Sequence, residues 1–231
     1  MRRYKTLFFD FDDTLWDTEH SNRQCLEDIY AAHGFSRHYS SFEAFYIRFR
    51  TNHLELWLKY QRNEINRPDL LKERFRHILI PAGIDSDEQA IALNSEFTAC
   101  AASKTALISG TKELLDYLAP HYKLVIVSNG FRDIQYRKLR NAGIESYFTG
   151  IILSEESGHR KPHRAIFDIA LKSTNSRRCE TLMIGDNPEA DIAGAQRAGI
   201  DQLWYNPKSL PSGNLQPTFE VQTLKEIMEA L

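Results

Sequence analysis

The sequence predicts an α/β protein: a doubly wound, Rossmann-like parallel sheet with an all-α segment inserted after the first strand. Three observations predict it. Short apolar runs recur at residues 6–9, 124–127, 150–153 and 181–184, and compact runs of this kind belong to strands buried on both faces. Amphipathic stretches at 111–118, 134–142, 163–171 and 190–198 lie between or after them, each with apolar residues three or four apart and a turn residue nearby. From about residue 16 to 102 no strand-like run occurs.

Alternating strands and helices imply right-handed βαβ crossovers and helices on both faces of one sheet. The expected domains are a core from residues 1–15 and 103–231 and a helical insertion from 16–102. Within the insertion, residues 22–33 and 42–60 have helical patterning, and Phe42, Phe45, Phe49, Trp57 and Tyr60 are spaced to form its own core. Leu203-Trp204 and residues 219–221 are expected to add edge strands, and 206–217, with its prolines, to form a surface loop.

A chain of 231 residues that is 42% hydrophobic can bury a sizeable core. Lys and Arg total 29 against 31 for Asp and Glu, a net charge of -2. No global field therefore draws in nucleic acid or a membrane surface, and anion binding must be local. Cys25, Cys100 and Cys179 are far apart in sequence, a spacing that suggests neither a disulfide framework nor a zinc knuckle and fits a reducing, cytoplasmic setting. No apolar run approaches the ~20 residues of a membrane span.

Chemistry is concentrated where the apolar runs end. Asp10-Phe11-Asp12-Asp13-Thr14 follows the first run, and in open α/β sheets ligands bind at the carboxyl ends of strands. A carboxylate can attack phosphorus; a second one nearby can protonate the leaving oxygen and then activate water. Gly185-Asp186-Asn187-Pro188-Glu189-Ala190-Asp191 follows the fourth run, and hard carboxylate oxygens gathered from two strand ends suit Mg²⁺. Ser128-Asn129-Gly130 offers a hydroxyl and backbone N–H groups at a helix start. Lys161-Pro162 offers a point charge for phosphoryl oxygens. Taken singly, a Ser-Asn-Gly turn or a lone lysine says little. Four strand ends that each carry one part of a phosphoryl-transfer site say more.

Taken along the chain, Asp10-Phe11-Asp12-Asp13-Thr14, Ser128-Asn129, Lys161-Pro162 and Gly185-Asp186 with Asp191 resemble, in order, the four sequence motifs of the haloacid dehalogenase superfamily of phosphohydrolases. The resemblance implies Asp10 as nucleophile and metal ligand, and Asp12 as acid/base that also lends Mg²⁺ its backbone carbonyl. It implies Ser128, Asn129 and Lys161 as phosphate binders, Asp186 as a further metal ligand, and Thr14 and Asp191 in support. Asp13 departs from the glycine more usual there. The insertion is placed like the helical cap of that superfamily, which closes over substrate and sets specificity. Asn52-His53-Leu54-Glu55-Leu56-Trp57 with Tyr60, Glu64 and Ile65, together with Asn129-Gly130-Phe131 and Ser154-Glu155-Glu156, resembles the noncanonical pyrimidine nucleotidases. That implies a small phosphorylated partner, a nucleoside monophosphate, with neither nucleic acid nor membrane as partner, and a monomer or weak homodimer.

Other readings stay open from sequence. A phosphatase for phosphoglycolate or a sugar phosphate fits the same motifs, and a catalytically inactive phospho-ligand or protein-binding module could keep the fold. Dehalogenation fits poorly, because attack on carbon needs neither Asp12 nor the metal-binding Asp186.

Overall fold

The computed structural model describes residues 3–231. The chain divides into two compact units, Met1–Thr18 with Thr105–Leu231, and Glu19–Lys104.

The described residues of the first unit form six strands, β1 (Thr6–Phe9), β2 (Lys123–Ser128), β3 (Gly150–Leu153), β4 (Thr181–Gly185), β5 (Asp201–Tyr205) and β6 (Phe219–Val221). They form one sheet in the order β3-β2-β1-β4-β5-β6, and every pairing is parallel. Side chains alternate between its faces, and both faces are buried. Leu7, Phe9, Leu124, Ile126, Leu182, Ile184 and Leu203 share one core with Leu114, Leu115 and Leu118. Phe8, Val125, Val127 and Met183 share the other with Ile166, Phe167, Ala170 and Ala195. This double burial is why the strands read as continuous apolar runs. Strands form at both places expected to add an edge, but β5 lies inside the sheet between β4 and β6, and of the two only β6 is at the edge.

Ten α-helices occur among the described residues: α1 (Thr18–Ala32), α2 (Phe42–Gln61), α3 (Arg67–Leu79), α4 (Asp87–Ser103), α5 (Thr111–Leu118), α6 (Arg132–Asn141), α7 (Ser154–Ser157), α8 (Arg164–Ser173), α9 (Gly194–Arg197) and α10 (Leu224–Ala230). The stretch read as one helix over 190–198 is two pieces: a wider-wound segment at Pro188–Ala193, with Ile192 N–H bonded to the carbonyl of Asn187, and then α9. No helix among the described residues is long and apolar enough to cross a membrane.

The second unit is all-helical. Its helices α2, α3 and α4 start on side-chain caps: Ser41 accepts from Ala44 N–H at 3.1 Å, Asn66 from Asp69 N–H at 2.9 Å and Ser86 from Gln89 N–H at 3.2 Å. Phe49, Phe75 and Phe97 meet at its centre with ring centroids 5.2 to 5.6 Å apart, joined by Phe45, Ile78, Ala90 and Leu93. Of the aromatics expected there, Phe45, Phe49 and Tyr60 are buried, Phe42 is partly buried against the cluster, and Trp57 is half-buried.

The cysteines correct the sequence reading. Cys25 on α1 and Cys100 on α4 form a disulfide across 75 residues, with Cα atoms 5.8 Å apart. Packing of the two helices creates this neighbourhood, and nothing in the local spacing announces it. Cys179 is free and exposed.

Candidate active site

In this strand order the connections after β1 and β4 leave in opposite directions, so the crevice beyond their carboxyl ends is the switch point where doubly wound sheets bind ligands. The register aligns Phe9 with Ile184 on one side and Ile126 on the other. Asp10 is therefore the first residue past the sheet, its N–H bonded to the carbonyl of Ile184 at 2.9 Å.

After Asp10 the chain turns tightly. The Phe11 carbonyl accepts from both Leu15 and Trp16 N–H, and Asp13 N–H donates to the Trp16 carbonyl at 2.7 Å. Asp13 sits at φ 60°, the left-handed region that Gly occupies freely and Asp or Asn tolerates best among other residues. Its carboxylate repays the departure from glycine by accepting Thr18 N–H at 3.1 Å. Burial, with the charge of Asp12, raises the Asp13 carboxyl to about 6.

Asp10, Asp186 and Asp191 converge, with one oxygen of each lying within 4.8 Å of the others. Lys161 holds two of them, its Nζ at 2.6 Å from Asp10 Oδ1 and 2.7 Å from Asp191 Oδ1. Lys161 is 2% exposed and Asp191 fully buried. Burial alone would lower the lysine, and the two carboxylates outweigh it and raise it. Thr14 Oγ1 donates to Asp186 Oδ1 at 3.2 Å, while Trp204 Nε1 donates to the Asp186 carbonyl at 2.9 Å. Burial pushes Asp10 up to about 7, opposed by Lys161 and assisted by Asp191. Asp186 too is raised well above its usual value, by burial and the charges of Asp10 and Asp191. Three carboxylates around one ammonium leave a surplus of negative charge on hard oxygen donors, and a divalent cation fits that surplus.

Asp191 reaches the cluster only because Gly185 has no side chain. A Cβ there would meet the Asp191 carboxylate, with Cγ at 2.5 Å. Asp191 Oδ2 also accepts Asn187 N–H at 3.0 Å, which ties the end of β4 to the wider-wound segment.

Ser128 ends β2 and is 1% exposed. Asn129, expected among the phosphate binders, spends its side chain on the backbone of Lys161: Nδ2 donates to the Lys161 carbonyl at 2.9 Å, and Oδ1 accepts Lys161 N–H at 2.8 Å. This clasp fixes the loop that aims the ammonium at Asp10.

Two residues that contact Asp12 escaped the sequence reading. Lys138 Nζ lies 2.6 Å from Asp12 Oδ1, and Gln135 Nε2 donates to Asp12 Oδ2 at 2.6 Å. Thr18 Oγ1 adds a bond to Oδ1 at 3.2 Å. Burial pushes Asp12 up, but Lys138, Gln135 and Thr18 outweigh it and hold the carboxyl below its usual range. The signal available in sequence was a polar pair three apart on the helix that follows Ser128-Asn129-Gly130.

The geometry agrees with what the chain matches. Residues 4–199 match the model of a hydrolase family described as haloacid dehalogenase-like hydrolase. The chain belongs to the haloacid dehalogenase-like hydrolase family. A relative in Bacillus subtilis, the HAD-hydrolase YfnB, is 30% identical over all of this chain and 97% of its own. The solved structure of YfnB bound to magnesium superposes with a TM-score of 0.89 at 28% identity, covering 100% of this chain and 99% of that one. The pyrimidine 5'-nucleotidase PynA of Streptococcus pneumoniae is 30% identical over 99% of this chain and 95% of its own. The pyrimidine 5'-nucleotidase YjjG of Escherichia coli is 29% identical over 99% and 98% respectively. The protein is thus an enzyme of a haloacid dehalogenase-like hydrolase family, and its six parallel strands with flanking helices are that family's fold.

Proposed function

We propose that the protein is a magnesium-dependent phosphomonoester hydrolase that passes the phosphoryl group through Asp10, and that its substrates are pyrimidine nucleoside 5′-monophosphates. The observation that carries the first part is the hold on Asp10. Lys161 occupies Oδ1, while Oδ2 has no hydrogen bond among the described residues and is left to attack phosphorus.

In the first step the Asp10 Oδ2–P bond forms as the ester P–O bond breaks, and the departing alkoxide takes a proton from Asp12 in its protonated form, the form that the second step regenerates. In the second, Asp12 takes a proton from water, whose oxygen attacks the same phosphorus and releases phosphate and free Asp10. The Ser128 hydroxyl, the Lys161 ammonium and the Asn129 backbone N–H are the groups that would hold the phosphoryl oxygens. Bound by Asp10, Asp186 and the backbone carbonyl of Asp12, Mg²⁺ would offset the repulsion between an anionic nucleophile and an anionic phosphate. Thr14 and Asp191 serve by orienting Asp186 and Lys161.

Support for the substrate comes from PynA and YjjG, both pyrimidine 5'-nucleotidases and both aligned across almost the whole chain. In this reading the helical unit is a cap that sets specificity. A cytoplasmic location, where nucleoside monophosphates are made, goes with it, and the Cys25–Cys100 bond would there meet a reducing thiol pool.

A hydrolysis panel with and without Mg²⁺ tests the proposal. Metal-dependent release of phosphate from para-nitrophenyl phosphate is expected, with uridine and thymidine monophosphates preferred over purine nucleotides, sugar phosphates and phosphoglycolate. Turnover of phosphoglycolate or a sugar phosphate above the nucleotides would replace the substrate assignment. No metal-dependent turnover of any ester would favour a binding module.

A further inference from the structure

Helix α6 reaches both the phosphoryl-binding hydroxyl and the acid/base carboxylate, and one side chain touches the two at once. Gln135 is 1% exposed. Its Nε2 donates to Asp12 Oδ2 at 2.6 Å and to Ser128 Oγ at 2.8 Å. One amide nitrogen has two hydrogens, and both are spent here.

The chemistry fixes the polarity of this bridge. Lys138 Nζ already serves Asp12 Oδ1, the amide NH₂ is turned to Oδ2, and Ser128 Oγ then accepts from the same nitrogen. Ser128 Oγ accepts a second N–H from Gly130 at 3.0 Å. With both lone pairs engaged, the single hydroxyl proton has to be donated, and a phosphoryl oxygen is an acceptor that suits it. Gln135 Oε1 meanwhile is buried with no hydrogen-bond partner among the described residues. A buried acceptor left unmet calls for an explanation, and the double use of the amide nitrogen supplies one.

The surroundings are shaped to this amide. A Cβ on Gly130 would run into Gln135, meeting Nε2, then Cδ at 2.5 Å and Cγ at 2.8 Å. Lys138, one turn further along α6, takes the other oxygen of Asp12 and lies 5.2 Å from the ring centroid of Trp16 and 5.9 Å from that of Phe11. The rings and the carboxylate together confine its ammonium.

We propose that Gln135 is a positioning residue for the hydrolysis: it points the Ser128 hydroxyl proton at the transferring phosphoryl group and sets the orientation of Asp12, so that one amide aligns phosphate binding with proton transfer. This rests on the phosphatase reading above. It requires that the two functions fail together when the amide is removed.

The test uses Gln135→Met, which keeps the length and loses the donors, and Gln135→Ala in case the thioether packs badly. Inorganic phosphate binding is measured by calorimetry in the presence of Mg²⁺, and kcat is measured for an aryl and an alkyl phosphate. We expect phosphate affinity to fall roughly fivefold, and alkyl turnover to fall about tenfold more than aryl turnover, since both esters share the water-activating step on Asp12 but only the poor leaving group also needs its proton. In a Ser128→Ala background the same substitution should leave phosphate affinity unchanged, because the hydroxyl it orients is gone. Unchanged phosphate affinity, or an equal loss for both esters in a folded variant, overturns the proposal. Calorimetry needs no turnover, and the wild-type enzyme's activity on para-nitrophenyl phosphate reports separately on the phosphatase reading.

Discussion

The two units handle buried charge in opposite ways. The sheet unit buries Asp10, Lys138, Lys161 and Asp191, and each has an opposite charge within 2.7 Å. The helical unit buries Arg74, which meets Asn94 Oδ1 at 3.4 Å and the Phe97 ring at 5.5 Å but no carboxylate among the described residues. Burial lowers Arg74 to about 10, and burial together with Arg74 keeps the enclosed His53 well below its usual value. Where charge is paired at strand ends it is held ready for chemistry. Where it is unpaired it is a cost that the aromatic core of the helical unit must cover.

The sharpest separation of chemistry from stability is expected at Asp10. Asp10→Asn keeps the shape and removes one negative charge from a crowded cluster. Turnover should fall by at least about four orders of magnitude, while Tm stays level or rises. Steady-state kinetics and a thermal scan check both, and a large loss of Tm would show that the charge had been holding the fold.

Lys161 and Arg74 can be compared directly by the same substitution. Lys161→Met leaves Asp10 and Asp191 without their shared cation and should cost about 3–5 kcal/mol in denaturant unfolding, along with nearly all activity. Arg74→Met removes a cation that lacks a partner charge, and its effect should lie between zero and about 2 kcal/mol of stabilisation. Equal losses at the two positions would erase the contrast between the units.

A smaller effect is expected from pH. Asp10 is raised from 3.8 to about 7 and Asp13 from 3.8 to about 6. A carboxyl whose folded value lies above its unfolded one favours the fold while protonated. That contribution is full below about pH 4 and is lost as pH rises through about 7. The metal-free protein should therefore lose a few degrees of Tm, roughly 2–6 °C, between about pH 5 and pH 7.5. Asp12, held low, contributes in the other sense and only at more acidic pH. Saturating Mg²⁺ should flatten the slope if the acidic cluster is its site; a slope indifferent to the metal would place the ion elsewhere.

Much of this was legible in the sequence because the strands are short and buried on both faces, so they appear as apolar runs that stop at a carboxylate, a hydroxyl or a glycine. Asp10, Ser128 and Asp186 could be found by asking where each run ends, and Lys161 by its place in the loop after β3. Local pattern by itself thus determined the fold class, the inserted helical unit and the residues at the strand ends.

Only the tertiary structure decided which of those residues touch. Asn129 turned out to clasp the Lys161 backbone with its side chain, Gln135 and Lys138 came down on Asp12 from α6, and Cys25 met Cys100 across 75 residues. The physical reason is one of range. Strand burial and helix periodicity are set by neighbours in sequence, whereas these partnerships are set by how the elements pack, and a side chain's sequence position does not name the residue it will face.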